Sequence, residues 1–165
     1  MVASCKLGDI STRKKVAKMK TLLITLAACA LMTAPSFAQD TVQQTSIATT
    51  LAVDIAQAAV SACTADGYNV SAAVTDRSGV LLTLVRSENA GAHTANASTQ
   101  KAFTSASSRN PTSTIAENVS KNPVTAGMAD IPGFVLAGGV PIKVGKDTIG
   151  AIGVAGAPGG TLDEA

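Results

Sequence analysis

Apolar positions recur along this chain with two different periods. Ile47, Leu51, Ile55, Ala58 and Ala62 return at intervals of three and four, which places them on one face of a helix over residues 45–65. Thr45 or Ser46 offers a capping oxygen at its start, and Gly67 can close it in the left-handed conformation. The pattern then changes. Residues 70–75 and 80–86 read as strands around Asp76-Arg77-Ser78-Gly79, a hairpin whose turn needs positive φ at Gly79. A loop over 87–93 leads to a second helix over 94–107, with Ala97, Lys101 and Ser105 on one side and Ala95, Ala102 and Ala106 near another. Pro111 suits the first turn of a short helix continuing through 112–119, and Asn122-Pro123 breaks it. Beyond a loop at 124–132, strands are expected at 133–137, 140–144 and 148–155, with a sharp bend at Gly138-Gly139 and a turn at Gly145-Lys146-Asp147.

The order is α-β-β-α-α-β-β-β. Short connections between neighbouring strands imply antiparallel pairing. The expected fold class is α+β: an antiparallel five-stranded sheet with helices packed on it.

The N-terminal residues carry a different signal. Arg13, Lys14, Lys15, Lys18 and Lys20 precede an almost wholly apolar run from Leu22 to Met32, and Pro35-Ser36-Phe37-Ala38 ends in small residues. This is the three-part pattern of a secretory signal, with Met19 as the start and cleavage after Ala38. Leu26-Ala27-Ala28-Cys29 offers a lipobox as the lesser alternative. The chain is therefore divided into residues 1–38, upstream sequence and leader, and a domain over 39–165, placed in the periplasm or outside the cell.

Removing that leader changes the charge. The full chain is +2, and residues 1–38 hold six basic residues against Asp9, so the domain is left at −3. Nucleic acid has no electrostatic footprint on it. Of three cysteines only Cys63 remains, so no internal disulfide can form, and it reads as a buried helix residue. The domain's aromatics are Tyr68, Phe103 and Phe134, so its core must be built from Ala, Val, Ile and Leu. Small domains with little bulky apolar volume gain stability by association, which points to a homo-oligomer.

Glycine interrupts the apolar runs of the C-terminal third, in Ile131-Pro132-Gly133-Phe134-Val135-Leu136-Ala137-Gly138-Gly139-Val140-Pro141-Ile142 and again in Ile149-Gly150-Ala151-Ile152-Gly153-Val154-Ala155-Gly156-Ala157-Pro158-Gly159-Gly160. Glycine weakens a strand unless a backbone or a flat ligand comes close. With Lys101-Ala102-Phe103-Thr104, these segments resemble the GlcG and HbpS family, the haem-degrading domain family, from about residue 45 onward. The resemblance implies a profilin- or PAS-like sheet, oligomeric assembly and haem as ligand. Relatives continue beyond the Gly-Gly-x-Leu-Asp-Glu motif into a closing helix, whereas here Glu164 is followed by Ala165, so the chain reads as one helix short.

The reading that follows is a secreted or periplasmic haem-binding protein serving storage, sensing or slow degradation. The alternative is an accessory module of GlcG type that binds another small organic anion or acts through protein contacts. His93, the single histidine, is the candidate axial ligand of haem iron. Lys101 and Arg86 are the candidate propionate partners, although a helix-surface lysine is an equal reading of Lys101. Phe103 can stack on a macrocycle, but a core anchor is the safer reading. Asp76, Asp130 and Asp163 occupy turn-like positions where local backbone bonding explains them. No residue constellation demands an enzyme.

Overall fold

The computed structural model describes residues 41–131 and 137–165. Four antiparallel strands form one sheet: β1 (Ser71–Asp76), β2 (Leu81–Arg86), β3 (Gly139–Val144) and β4 (Asp147–Ala155), in the order β2-β1-β4-β3. Helix α1 (Thr49–Ala65) packs against β1 and β2 on one face. Helix α2 (Ala92–Ser108) crosses the other face and contacts all four strands. Then come α3 (Thr112–Lys121), a 3-10 stretch (Pro123–Asp130) where a loop was expected, and a five-residue helix α4 (Gly160–Glu164). The α+β class is as the sequence indicates. The expected strand at 133–137 falls, except for Ala137, outside the described residues.

Turn chemistry sets the hairpins. Gly79 has φ +86°, and Asp76 Oδ1 accepts from the Ser78 and Val80 amides at 2.8 and 2.9 Å, so the β1–β2 turn is bonded by its own aspartate. A register shift between Val74 and Thr75 accommodates one extra residue of β2.

The start of α1 departs from expectation. Thr45 and Ser46 do not cap it: the helix begins at Thr49 without a side-chain cap. Instead the Ile47 amide donates to the Ile149 carbonyl at 2.9 Å, tying the preceding segment to β4. The face also turns from the one expected. Ala52 and Ala56 are fully buried, whereas Leu51 is 46 % exposed. Small residues allow a close helix–sheet approach, and that outweighs the larger transfer energy available to leucine.

The two sheet faces differ in chemistry. Toward α1 lie Val70, Ala72, Val74 and Val154 with Ile47, an apolar cluster. Each valine or isoleucine among them contributes about 1.5–3 kcal/mol when fully buried. Toward α2 the buried side chains are small and often polar: Ser71, Thr75, Thr94, Ser98 and Ser105. Ser71 and Thr94 share a hydroxyl hydrogen bond of 2.7 Å between β1 and α2.

Glycines bring α2 onto β4. A Cβ at Gly153 would collide with the Ser98 carbonyl oxygen and the Ala102 amide nitrogen and lie 3.0 Å from Lys101 Cβ. One at Gly139 would meet the Lys101 carbonyl and lie 2.9 Å from Thr112 Cγ2. Backbone thus packs on backbone where α2 crosses the β3–β4 pair, as the interrupted apolar runs suggest. Among the described residues no helix is long and apolar enough to cross a membrane.

Candidate functional site

The four residues singled out from sequence separate into three places. Arg86 closes β2 and is exposed; its Nη1 donates to the Ala90 carbonyl. The short connection beyond it is held by Ser87 N to Val70 O and Ala90 N to Ser87 O, both 3.0 Å. Helix α2 then starts after Gly91, which places His93 in its first turn. The imidazole is exposed and lies over Gly91, where an added Cβ would stand 2.7 Å from Cε1. Among the described residues no hydrogen bond holds the ring. The neighbouring Thr94 does face the sheet, so the first turn of α2 is fixed while His93 stays open to solvent. Arg86 and His93 thus flank one short segment, in which Ser87 and Ala90 are buried.

Phe103 lies ten residues further along α2, about 15 Å on at the helical rise. It does not anchor the core: it is 46 % exposed, with its ring against Gly79 in the β1–β2 turn. The helical period puts it opposite the buried row Thr94, Ser98, Lys101 and Ser105, so the sheet cannot cover it.

Lys101 is not a surface lysine. It is 6 % exposed, and its Nζ donates to the Val154 carbonyl at 2.8 Å and to Asp163 Oδ2 at 2.7 Å. The route to these partners is cleared by glycine. A Cβ at Gly138, whose φ is +122°, would lie 2.6 Å from Nζ. Asp163, expected at a turn and bonded locally, instead receives this buried cation, and its Oδ1 accepts from the Ala157 amide at 3.0 Å.

Glu164 fastens the same short helix elsewhere. Its Oε1 accepts from Ser113 N at 2.8 Å, Gly138 N at 3.1 Å and Thr112 Oγ1 at 3.2 Å. Burial acts to push this carboxyl up, but the donors from Ser113, Gly138 and Thr112 together hold it below the ordinary glutamate value. Ser113 belongs to the first turn of α3, where a negative charge is also favoured by the helix dipole.

Beside this clasp lies a cleft of about 300 Å³. Among the described residues α1 packs on β1 and β2, and the cleft lies toward the β3–β4 end of that face. Ala59, Ala62 and Cys63 of α1 form one side, and Val140, Ile152 and Val154 form the floor. Leu162, Asp163 and Glu164 complete the wall. Cys63 is half-buried rather than buried. Burial first, then the charges of Asp163 and Asp66, push its thiol up, so it is a poor nucleophile. Among the described residues no group of three or more His, Cys, Asp or Glu could hold a metal ion.

The sequence reading placed Asp163 at a locally bonded turn and did not single out Glu164 or the cleft. The available signal was the Gly-Gly-x-Leu-Asp-Glu motif itself, since two carboxylates following an apolar residue at the end of a sheet need partners when they are buried.

Comparison with known proteins fits this architecture. No curated protein matches the sequence. A double mutant of Streptomyces reticuli HbpS superposes with a TM-score of 0.72 at 39 % identity, covering 77 % of this chain and 86 % of that one. The Klebsiella pneumoniae protein ORFY gives 0.71 at 25 % identity, covering 78 % and 90 %. A PduOC:heme complex gives 0.65 at 17 % identity, covering 72 % and 88 %, a likeness of fold. The family model for haem degrading protein HbpS-like matches residues 47–165. The chain therefore belongs to the HbpS-like haem-degrading protein family.

Proposed function

We propose that this chain is a haem-binding protein of the periplasm or extracellular space, in which His93 ligates the iron and Arg86 pairs with a propionate. Family membership over residues 47–165 supports the ligand class. The observation that carries the site is the exposed imidazole of His93, unengaged among the described residues, in the first turn of a helix pinned through Thr94.

The residues fit the group chemically. A neutral imidazole suits haem iron, and a guanidinium suits a carboxylate. Arg86 spends one donor on the Ala90 carbonyl and keeps the remainder of its fork. Phe103, about 15 Å further along α2 and packed against Gly79, lies apart from the place shared by His93 and Arg86. Lys101 can serve a propionate only where Asp163 gives way. Haem would supply the iron and oxygen chemistry, and the chain would hold and orient it, so slow haem degradation needs no catalytic side chain.

The test is a haem titration of the protein starting at Gln39, followed by absorbance, with His93→Ala and Arg86→Ala in parallel. A saturable Soret band is expected, displaced in His93→Ala and weakened in affinity in Arg86→Ala. A saturable band unchanged in His93→Ala removes that residue as ligand. No saturable band in folded protein removes haem.

A further inference from the structure

The ring of His93 rests on a glycine that the fold holds in place. An ideal Cβ on Gly91 would stand 2.7 Å from Cε1 and 2.9 Å from Nδ1 of His93, but 3.8 Å from Nε2. The Nδ1–Cε1 edge of the imidazole therefore faces Gly91, and Nε2 is turned away from it. We infer that Gly91 is a positioning residue for the haem site: without a side chain, it lets the imidazole fold back onto the backbone, which screens Nδ1 and presents Nε2 to the iron. This rests on the proposed haem reading and deepens it, because ligation by His93 alone leaves open which nitrogen binds and what aims the ring.

Gly91 is tied to the sheet through hydroxyl groups. Its carbonyl accepts from the Thr94 amide at 3.0 Å and from Thr94 Oγ1 at 2.7 Å. Since the one Thr94 hydroxyl proton goes to Gly91, the 2.7 Å bond between Ser71 and Thr94 has Ser71 Oγ as its donor. The relay Ser71–Thr94–Gly91 thus runs from β1 to the residue under the imidazole. Ala90, one position earlier, is buried; its amide donates to the Ser87 carbonyl and its own carbonyl accepts from Arg86 Nη1. Consecutive residues therefore anchor the two side chains assigned to haem, the guanidinium on Ala90 and the imidazole on Gly91.

The backbone at Gly91 does not itself require glycine. Its φ of −59° and ψ of 143° suit any residue with a side chain. What a side chain would meet is the ring. The atoms in its way are the far end of an exposed, rotatable histidine, so an added Cβ is accommodated by the imidazole swinging outward, with the backbone left where it is. A metal-ligating histidine is ordinarily oriented by a hydrogen bond on its other ring nitrogen, and losing such a partner costs about 10–100-fold in metal affinity. His93 has no such bond among the described residues, and contact with Gly91 takes that part.

The test compares wild type, His93→Ala and Gly91→Ala, with and without haemin. In haem-free protein, a nuclear Overhauser contact between His93 Hε1 and the Gly91 α-protons is expected in wild type and is expected to vanish in Gly91→Ala, which keeps its cooperative melt. With haemin, Gly91→Ala is expected to show the Soret position of His93→Ala and an affinity about tenfold or more below wild type. Should alanine impair folding, Gly91→Ser adds the same Cβ with a hydroxyl that can cap α2, and takes the same measurements. No saturable band, or one unmoved in His93→Ala, removes the haem reading on which this role rests, and the role with it. A band moved in His93→Ala but unchanged in Gly91→Ala leaves the haem reading standing and overturns the role of Gly91. So does a proton contact that is absent in wild type or survives in Gly91→Ala.

Discussion

Gly153→Ala tests whether the α2–β4 contact is a backbone contact. The added Cβ would enter the space of the Ser98 carbonyl oxygen and the Ala102 amide nitrogen and stop 3.0 Å from Lys101 Cβ. No positive φ is involved at Gly153, so alanine suits its backbone conformation and on propensity alone would stabilise the chain slightly. The steric term has the opposite sign. Neither obstructing backbone atom can rotate away, so α2 must lift from the sheet as a body. Overpacking of this kind costs about 1–3 kcal/mol. The displacement would also draw Lys101 from Asp163 and Thr94 from Ser71, which puts the expected loss at the upper end. A loss of about 3 kcal/mol lowers Tm by more than about 6 °C in a domain of this size. Calorimetry of Gly153→Ala beside Gly145→Ala supplies the comparison. Gly145 has open space around its Cβ position but φ +61°, so its penalty is conformational and local. A Gly153→Ala melt within about 2 °C of wild type would refute close backbone packing here.

Further predictions concern the clasp. Lys101→Met leaves Asp163 buried without its cation and is expected to destabilise by about 3–5 kcal/mol, whereas Lys101→Met/Asp163→Leu recovers much of that loss; chemical denaturation of both and of Asp163→Leu completes the cycle. Glu164 has its carboxyl held low in the folded chain, so its stabilisation is complete above the unfolded glutamate value near 4.3 and is lost as pH falls through the lower folded value. Melting curves from pH 6 to pH 3 should therefore fall more steeply for wild type than for Glu164→Gln, and parallel curves would remove Glu164 from the linkage. Phe103→Ala should cost less than about 1.5 kcal/mol by thermal denaturation, because nearly half of the ring is already exposed; a core-sized loss above about 3 kcal/mol would restore the anchor reading.

What the sequence made legible follows the range over which each signal acts. The hairpin turn at Gly79, the left-handed close of α1 at Gly67 and the turn at Gly145 are local consequences of glycine and could be read directly. Helices α1, α2 and α3 were legible to within a few residues because their spacing is local too. The buried face of α1 was misread because hydrophobicity favours Leu51 over Ala52, while the sheet selects for size across a distance that sequence does not encode. Lys101 was ambiguous for the same reason. Nothing within the helix marks it as buried, since Gly138, Gly153 and Asp163, which clear and fill its site, lie far along the chain. The glycine interruptions announced close approach but not the partner. Arg86 and His93 stand at the two ends of one short connection, a relation that sequence distance conveys.

The pairing of Lys101 with a residue 62 positions later has a kinetic meaning as well. Asp163 is synthesised long after α2, β1 and β2 have emerged, so the early chain holds an ammonium with no partner at the place where α2 must seal against the sheet. Burying it unpaired is too costly, so the helix can meet β1 but cannot close fully over the site of β4 until the second half arrives. Closing α2 over β4 is thus linked to docking of the C-terminal turn through one charge pair, Lys101 and Asp163.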